Sequence, residues 1–359
     1  MAGGSSHLSV AMTTEFDRSQ ATSGNTTSSP SSFYGAEFYF QCAVIAIGVV
    51  GIAGNALVLY AMVVSEQHKK QVLIFNQNVF DFCSCLHLVV TYTVKLCSVR
   101  DLTGTLGYWL CVLFHSDSLL LTSIKGAVIN LMSITIERYL KVVHHAWSKK
   151  LLNKCTRGCA IAFAWIAGLV YHGVLGFTTS FVIDGVCYWA IADEVASVVY
   201  SVWDFVSFFV VPLFTFGFCY GRILMVIRRQ ASVMASHSTH GSSTTQAHNT
   251  QIQSNVIKTM ILISAFYAIA GIPSTVQYFL LLIGEDFDAD YTQSFGMLLV
   301  FSYISMNPLI YATRFDPVRR VLSQMIPCKK SRPADRNVQI VSTQGTAQSL
   351  NYRRWQVAR

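Results

Sequence analysis

Seven stretches of this chain, residues 38–63, 73–98, 110–136, 157–182, 196–227, 256–283 and 294–313, are apolar and long enough to cross a bilayer. A spanning helix needs roughly 20 apolar residues. Only helices and closed barrels satisfy their backbone in lipid, and runs this long without alternation exclude a barrel. Charged residues make up 12% of the 359, against about 25% in a soluble domain. The sequence therefore predicts an all-α membrane protein, a seven-transmembrane helix bundle.

Lys and Arg set the orientation. Lys69, Lys70, Lys149, Lys150, Lys154, Arg157, Arg228 and Arg229 follow runs one, three and five, and Arg319, Arg320, Lys329, Lys330 and Arg332 follow run seven. The opposite side carries Arg18 and Arg100 and is acidic near runs five to seven. This predicts an outer N-terminus and an inner C-terminus. The net charge of +8 then reads as membrane orientation, with a basic inner rim suited to anionic lipid head groups, and not as nucleic-acid binding. The first 30 residues are polar, so the first span is expected to act as its own signal anchor.

The expected organisation has three parts. Residues 1–37 form a disordered extracellular segment with a glycosylation sequon at Asn25. Residues 38–326 form the bundle, closed by a short amphipathic eighth helix around 315–326. Within them, 230–252, rich in Ser, Thr, His and Gln, is a flexible inner loop. Residues 327–359 form a cytoplasmic tail whose Ser331, Ser342, Thr343, Thr346 and Ser349 are open to phosphorylation.

Of ten cysteines, Cys42, Cys83, Cys85, Cys97, Cys159 and Cys219 lie in the apolar runs and are expected as small buried hydrophobes. Cys155 sits at the inner start of run four. Cys111 and Cys187 fall at outer helix ends or loops, where oxidation is permitted. No Cys/His cluster has metal-ligand spacing. No phosphate-binding loop or catalytic constellation is present, so an enzyme is not expected. No internal repeat supports a transporter.

Lys125 and Asp204 stand inside spanning runs. A charge at the bilayer centre costs roughly 2.5–3.5 kcal/mol on insertion scales, which makes each a functional-site hypothesis. The motifs around them are ordered. Run one holds Gly54-Asn55 and run two Asp81. Run three ends in Glu137-Arg138-Tyr139. Trp165, Pro212, Tyr220 and Pro273 follow, and run seven ends Asn307-Pro308-Leu309-Ile310-Tyr311. This succession on seven spans resembles the rhodopsin-like (class A) G-protein-coupled receptors over roughly residues 38–326. Asn76-Gln77-Asn78 before Asp81, and the run from Glu137 to His144, are similar to invertebrate orphan receptors.

The resemblance implies roles. Arg138, restrained by Glu137 and beside Tyr139, is the switch that meets a heterotrimeric G protein. Tyr220 and Tyr311 would swing in to stabilise the opened inner face. Asn307 and Pro308 belong to the same activation motif. Asp81, Asn55 and Asn307 would form a polar core relay, a place the family often fills with a sodium ion; otherwise no cofactor is implied. Cys111 would be linked to Cys187. Cys328 would be palmitoylated, and the tail would recruit arrestin and a receptor kinase. The protein would be multi-pass in the plasma membrane.

The chain also departs from the family. Gly271 replaces the Trp usual two residues before Pro273, so the standard toggle is not expected. Arg138 lies 27 residues after Cys111, which predicts a bulge or an extra half-turn at the outer end of the third helix. Ala127, Tyr303 and Ile304 replace residues that usually build the sodium site. Gln253 stands where some receptors place an acid against the arginine, so a loosely held resting state is expected.

The ligand pocket is read from what it lacks and what it adds. Leu120 stands where amine receptors carry Asp, and Phe301 where opsins carry Lys. Asp117, a turn further out, is either a substitute anchor or a solvated helix end. Lys95 is a ligand contact or snorkels outward. Lys125 and Asp204 are a buried ion pair that fixes helix packing or the floor of the pocket. Gly271 is a pocket candidate on the sixth helix and, next to Pro273, leaves a flexible hinge. Asp184, Asp193, Glu194, Glu285, Asp286, Asp288 and Asp290 are solvated loops or a field for a cationic ligand. A short second outer loop, 183–194, leaves the pocket open. The leading expectation is a neuropeptide-like ligand. The alternatives are a small acid or zwitterion held by Lys125, Asp204 and Lys95, and, from another class, a seven-helix transporter.

Overall fold

The computed structural model describes residues 30–97, 102–191, 193–236, 244–282 and 289–325. Among these, seven helices are long and apolar enough to cross a membrane: Glu37–Val64, Val72–Leu96, Gly104–Val143, Lys154–Thr179, Val195–Gln230, Asn255–Val276 and Ser294–Arg314, the first to seventh spans. The third span is the axis. It packs on the second, fourth and fifth and touches the sixth, while the first lies against the second and seventh and the sixth against the seventh.

Burial is arranged for lipid. Phe163, Ile166, Val170, Val202, Phe214 and Phe218 are exposed on the outer faces. Asn55, Asn76, Gln77, Asn78, Asp81, Asn130 and Asn307 are buried inside. Lipid gives apolar side chains no reason to turn inward, whereas a polar group must find a partner inside the bundle. Small residues set the closest approaches. A Cβ on Gly168 would lie 2.6 Å from the Thr122 carbonyl oxygen, so only glycine lets the third and fourth spans meet there.

Three spans contain a π-helical turn: Cys111–His115, Leu169–Gly173 and Val206–Val210. The third also breaks at Asp117, which takes a left-handed conformation (φ 57) before the helix restarts at Ser118. The wide turn and the break absorb the extra residues between Cys111 and Arg138.

The side expected to be outer, opposite Arg138, carries a hairpin, β1 (Ser180–Ile183) and β2 (Val186–Trp189), paired antiparallel from Ser180↔Trp189 to Ile183↔Val186. Its two-residue turn, Asp184-Gly185, has φ of 51° and 79°, as a twist-matched hairpin turn requires. The Leu102 N–H donates to the Gly185 carbonyl (3.0 Å), and a Cys111–Cys187 disulfide, Cα atoms 5.3 Å apart, fixes β2 to the third span.

The structure corrects several sequence boundaries. The fourth span ends at Thr179, so 180–182 of the apolar run are strand; the β-branched and aromatic Phe181, Val182 and Ile183 before the Asp184-Gly185 turn favour strand over helix. A helix begins at Pro30, inside the segment expected to be disordered; proline at a first helical position costs no hydrogen bond. Helix continues to Ser236 and resumes at Thr244, leaving only 237–243 of the expected loop 230–252 outside the described residues. Extending an established helix is easier than starting one, even through Ser and Gln. The eighth helix is Asp316–Met325. Cys97 and Cys159 are exposed rather than buried. Asn25, Glu285, Asp286, Asp288, Cys328 and the tail lie outside the described residues.

Candidate functional site

At the inner end of the third span, Arg138 and Glu137 are both buried. The resemblance implied that Glu137 restrains Arg138. The Arg138 Nη2 lies 3.8 Å from Glu137 Oε2 in an ion pair and also donates to Oε1 of Gln71. The Glu137 carboxylate is shared. Lys141 donates to it at 2.8 Å and Arg157 of the fourth span approaches to 3.0 Å. Lys141 is one turn along the same helix, so its contact follows from spacing; Arg157 comes from the fourth span. Gln71 precedes the second span and was not singled out by sequence.

The neighbouring tyrosines differ. The Tyr220 hydroxyl already bonds Thr135, one turn from Arg138, at 2.9 Å, and receives Ser264 at 3.4 Å. Tyr311 is buried at the base of the seventh span. The Tyr139 hydroxyl meets His144 at 3.1 Å on the exposed rim. Across the inner opening, Asn255 of the sixth span donates to Asp316 of the eighth helix at 3.1 Å, a second tie on the sixth span's inner end.

Above the switch runs a chain of amide hydrogen bonds. Trp165 donates to Asn76 (3.1 Å), Asn76 to Asn130 (3.0 Å), Asn130 to Gln77 (2.9 Å), and Gln77 to Asp81 (3.2 Å). Asn307 donates to the other Asp81 oxygen at 2.9 Å. Four spans are thereby joined through buried groups whose alternative in lipid is no partner at all. Asn55 is not in this chain; its amide donates to the Gly51 carbonyl at 2.9 Å. Gln77 and Asn130 were visible as polar residues in apolar runs, but only the packing shows that they face each other. Pro308 lies within the seventh span beside Asn307.

At the outer half, Lys125 donates to Asp204 at 2.5 Å, and its ammonium lies 4.3 Å from the centre of the Phe208 ring. The pair sits between the fourth-span and fifth-span π-turns. Tyr171 stacks on Tyr200 (5.7 Å) and packs on Phe208 (4.9 Å), and His172 reaches the Tyr200 hydroxyl at 3.4 Å. Nothing in the sequence brought Tyr171, His172 and Tyr200 to notice; a wide turn shifts the face a helix presents.

The fifth-span wide turn also meets the sixth span. The Tyr267 hydroxyl donates to the Phe208 carbonyl oxygen. A Cβ on Gly271 would lie 2.8 and 3.1 Å from the Phe209 ring. The space opened by the missing Trp at Gly271 is thus filled by Phe209.

Nearer the surface, the Lys95 ammonium donates to both carboxylate oxygens of Asp117, at 3.0 and 2.9 Å. Neither expectation for either residue included the other. The left-handed break at Asp117 turns its carboxylate to the second span. Leu120 is fully buried in the apolar core. Asp184 and Asp193 are exposed on the outer side, and Asp193 caps the fifth-span helix by accepting from the Ala196 N–H at 2.7 Å.

Among the described residues no group of three or more His, Cys, Asp or Glu side chains could hold a metal. Asp81 is fully buried. Both its oxygens accept amide hydrogens.

The family model described as 7 transmembrane receptor (rhodopsin family) matches residues 54–311. A QRFP-like peptide receptor of Branchiostoma floridae is 22% identical, over 82% of this chain and 79% of its own length. Melanopsin of Felis catus is 23% identical over 82% of this chain, which spans 61% of that protein. Galanin receptor type 1 of Mus musculus is 22% identical over 79% of this chain and 80% of its own length.

Proposed function

The chain belongs to the rhodopsin family of seven-transmembrane receptors, and from that premise we propose that it passes the binding of a neuropeptide-like ligand to G proteins. It is a G-protein-coupled receptor and not an enzyme. The observation that carries the peptide reading is the rigid β1–β2 hairpin, fixed by a disulfide at one strand and by Leu102 at its turn. Its exposed Phe181 and Ile183 and the acidic Asp184 suit an extended basic peptide, which pairs with strand edges through its backbone. The names of two similar proteins, a QRFP-like peptide receptor and a galanin receptor, support it.

In this reading the N-terminus is extracellular and the receptor lies in the plasma membrane. Ligand binding shifts a population from a closed to an open inner face, releasing Arg138 from Gln71. The tail, outside the described residues, takes the receptor kinase and arrestin, and Cys328 is acylated. Asp81 acts as an amide-bonded relay between the second and seventh spans.

A second reading, a small acid or zwitterion, is favoured by one observation: Lys125 and Asp204 sit among Tyr171, His172 and Tyr200 at pocket depth. Screening basic, amidated peptides against small carboxylates, with a promiscuous G protein as readout, separates the two. The peptide reading fails if carboxylates activate and peptides do not. It also fails if Asp184→Asn with Phe181→Ser leaves peptide potency unchanged.

A further inference from the structure

Cys155 and Cys159 stand four residues apart at the inner start of the fourth span, both exposed and free of any disulfide. The helix start is fixed by Asn153, whose side chain accepts from the Thr156 N–H at 2.7 Å. Cys155 is therefore in the first turn, and Cys159 lies about 6 Å further in at 1.5 Å per residue. Residues four apart on a helix share a face, so the two side chains point the same way. That way is outward. Their face continues through Phe163, Ile166 and Val170, all exposed apolar side chains, while Arg157 turns inward to Glu137 at 3.0 Å.

The depth is marked independently. The preceding helix, His145–Leu151, exposes Trp147 and Leu151 beside Lys149, Lys150 and Lys154. Tryptophan with lysines marks the membrane–water boundary. Two thiols thus sit at the inner boundary, facing lipid, on a basic rim that attracts anionic cofactors and head groups.

We propose that Cys155 and Cys159 are sites of S-acylation by a long-chain acyl-coenzyme A, delivered by a membrane acyltransferase. The thiol sulfur attacks the acyl carbonyl, a new thioester C–S bond forms, and the bond to coenzyme A breaks. Coenzyme A leaves as its thiol with the proton, and nothing is oxidised or reduced. The chains then lie along Phe163, Ile166 and Val170. They anchor the turn from which Arg157 holds Glu137, beside the Arg138 switch. The proposal rests on the reading that the Arg138 end faces the cytoplasm.

The test uses the full-length receptor in cells, with hydroxylamine-dependent mass tagging. Cys328→Ser removes the tail site. The expected result is that this variant keeps two tags and that adding Cys155→Ser and Cys159→Ser removes both, with Cys→Ala variants and surface expression as folding controls. An unchanged tag count in the triple variant overturns the proposal, as does complete loss of tags in Cys328→Ser alone. Tags that appear only after reduction, not hydroxylamine, would indicate a disulfide and overturn it too. A membrane-impermeant maleimide on the hydroxylamine-treated Cys328→Ser variant checks orientation separately. Labelling at Cys155 and Cys159 before permeabilisation would refute the topology rather than the acylation.

Discussion

Arg138 is held by Gln71 as well as by the ion pair with Glu137 that stands at 3.8 Å. The guanidinium donates to the Gln71 amide oxygen, while the adjacent carboxylate is shared by Lys141 and Arg157. The resting state therefore depends on a neutral side chain before the second span, and on a fourth-span arginine that keeps the carboxylate occupied. Asn255 bonded to Asp316 holds the sixth span in place of an acid at Gln253.

Replacing Gln71 with Ala should raise basal signalling. A hydrogen bond to a charged group contributes about 1.5–3 kcal/mol, which corresponds to about a tenfold to hundredfold shift between closed and open states. Agonist-free nucleotide exchange on G protein, at matched surface expression, is the readout. Arg138→Ala should abolish exchange, and unchanged basal exchange in Gln71→Ala would remove the lock.

Asp316→Ala should act in the same direction and more weakly, because Asn255–Asp316 is a neutral-to-charged bond at the water-facing rim. Combined with Gln71→Ala it should add to the basal rate. Were the double variant no more active than the stronger single one, the two ties would be a single unit.

Lys125→Met and Asp204→Asn should each destabilise the receptor. Breaking a buried pair by removing one partner costs about 3–5 kcal/mol, and here the Phe208 ring and partial exposure of Asp204 soften that toward the low end. The double variant should recover thermal stability in detergent. Retained stability in both single variants, with a loss of agonist potency, would make the pair a ligand site instead.

Gly271→Ala should strain the fifth–sixth span contact, since its Cβ must displace Phe209. Overpacking of this kind costs about 1–3 kcal/mol. Gly271→Trp with Phe209→Ala should recover stability relative to Gly271→Trp alone, measured as melting temperature. A Gly271→Ala receptor as stable as wild type would show that the Phe209 ring moves freely.

Cutting the amide chain at Gln77 or Asn130 with Leu should lower stability by about 1–3 kcal/mol each, the cost of leaving a buried partner unsatisfied. Because they share one bond, the double variant should fall short of the sum. Additive losses in a thermal melt would argue that the chain is not one network.

The sequence by itself determined the number of spans and the motif positions, because each depends on local composition along one helix. Glu137–Lys141 was legible for the same reason, as a one-turn spacing, and Asp184-Gly185 carried the hairpin for a reader looking for turns rather than spans. The tertiary structure decided which polar group meets which: Arg138 with Gln71, Lys95 with Asp117, Gln77 with Asn130, and Phe209 in the notch of Gly271. Those partners lie on different helices, and their facing depends on rotation about each helix axis. The wide turns at Cys111–His115, Leu169–Gly173 and Val206–Val210 reset that rotation without a lasting mark on apolar periodicity. In lipid, where apolar contact favours no particular rotation, the buried polar pairs and small-residue contacts select one, and they exist only once the helices are packed.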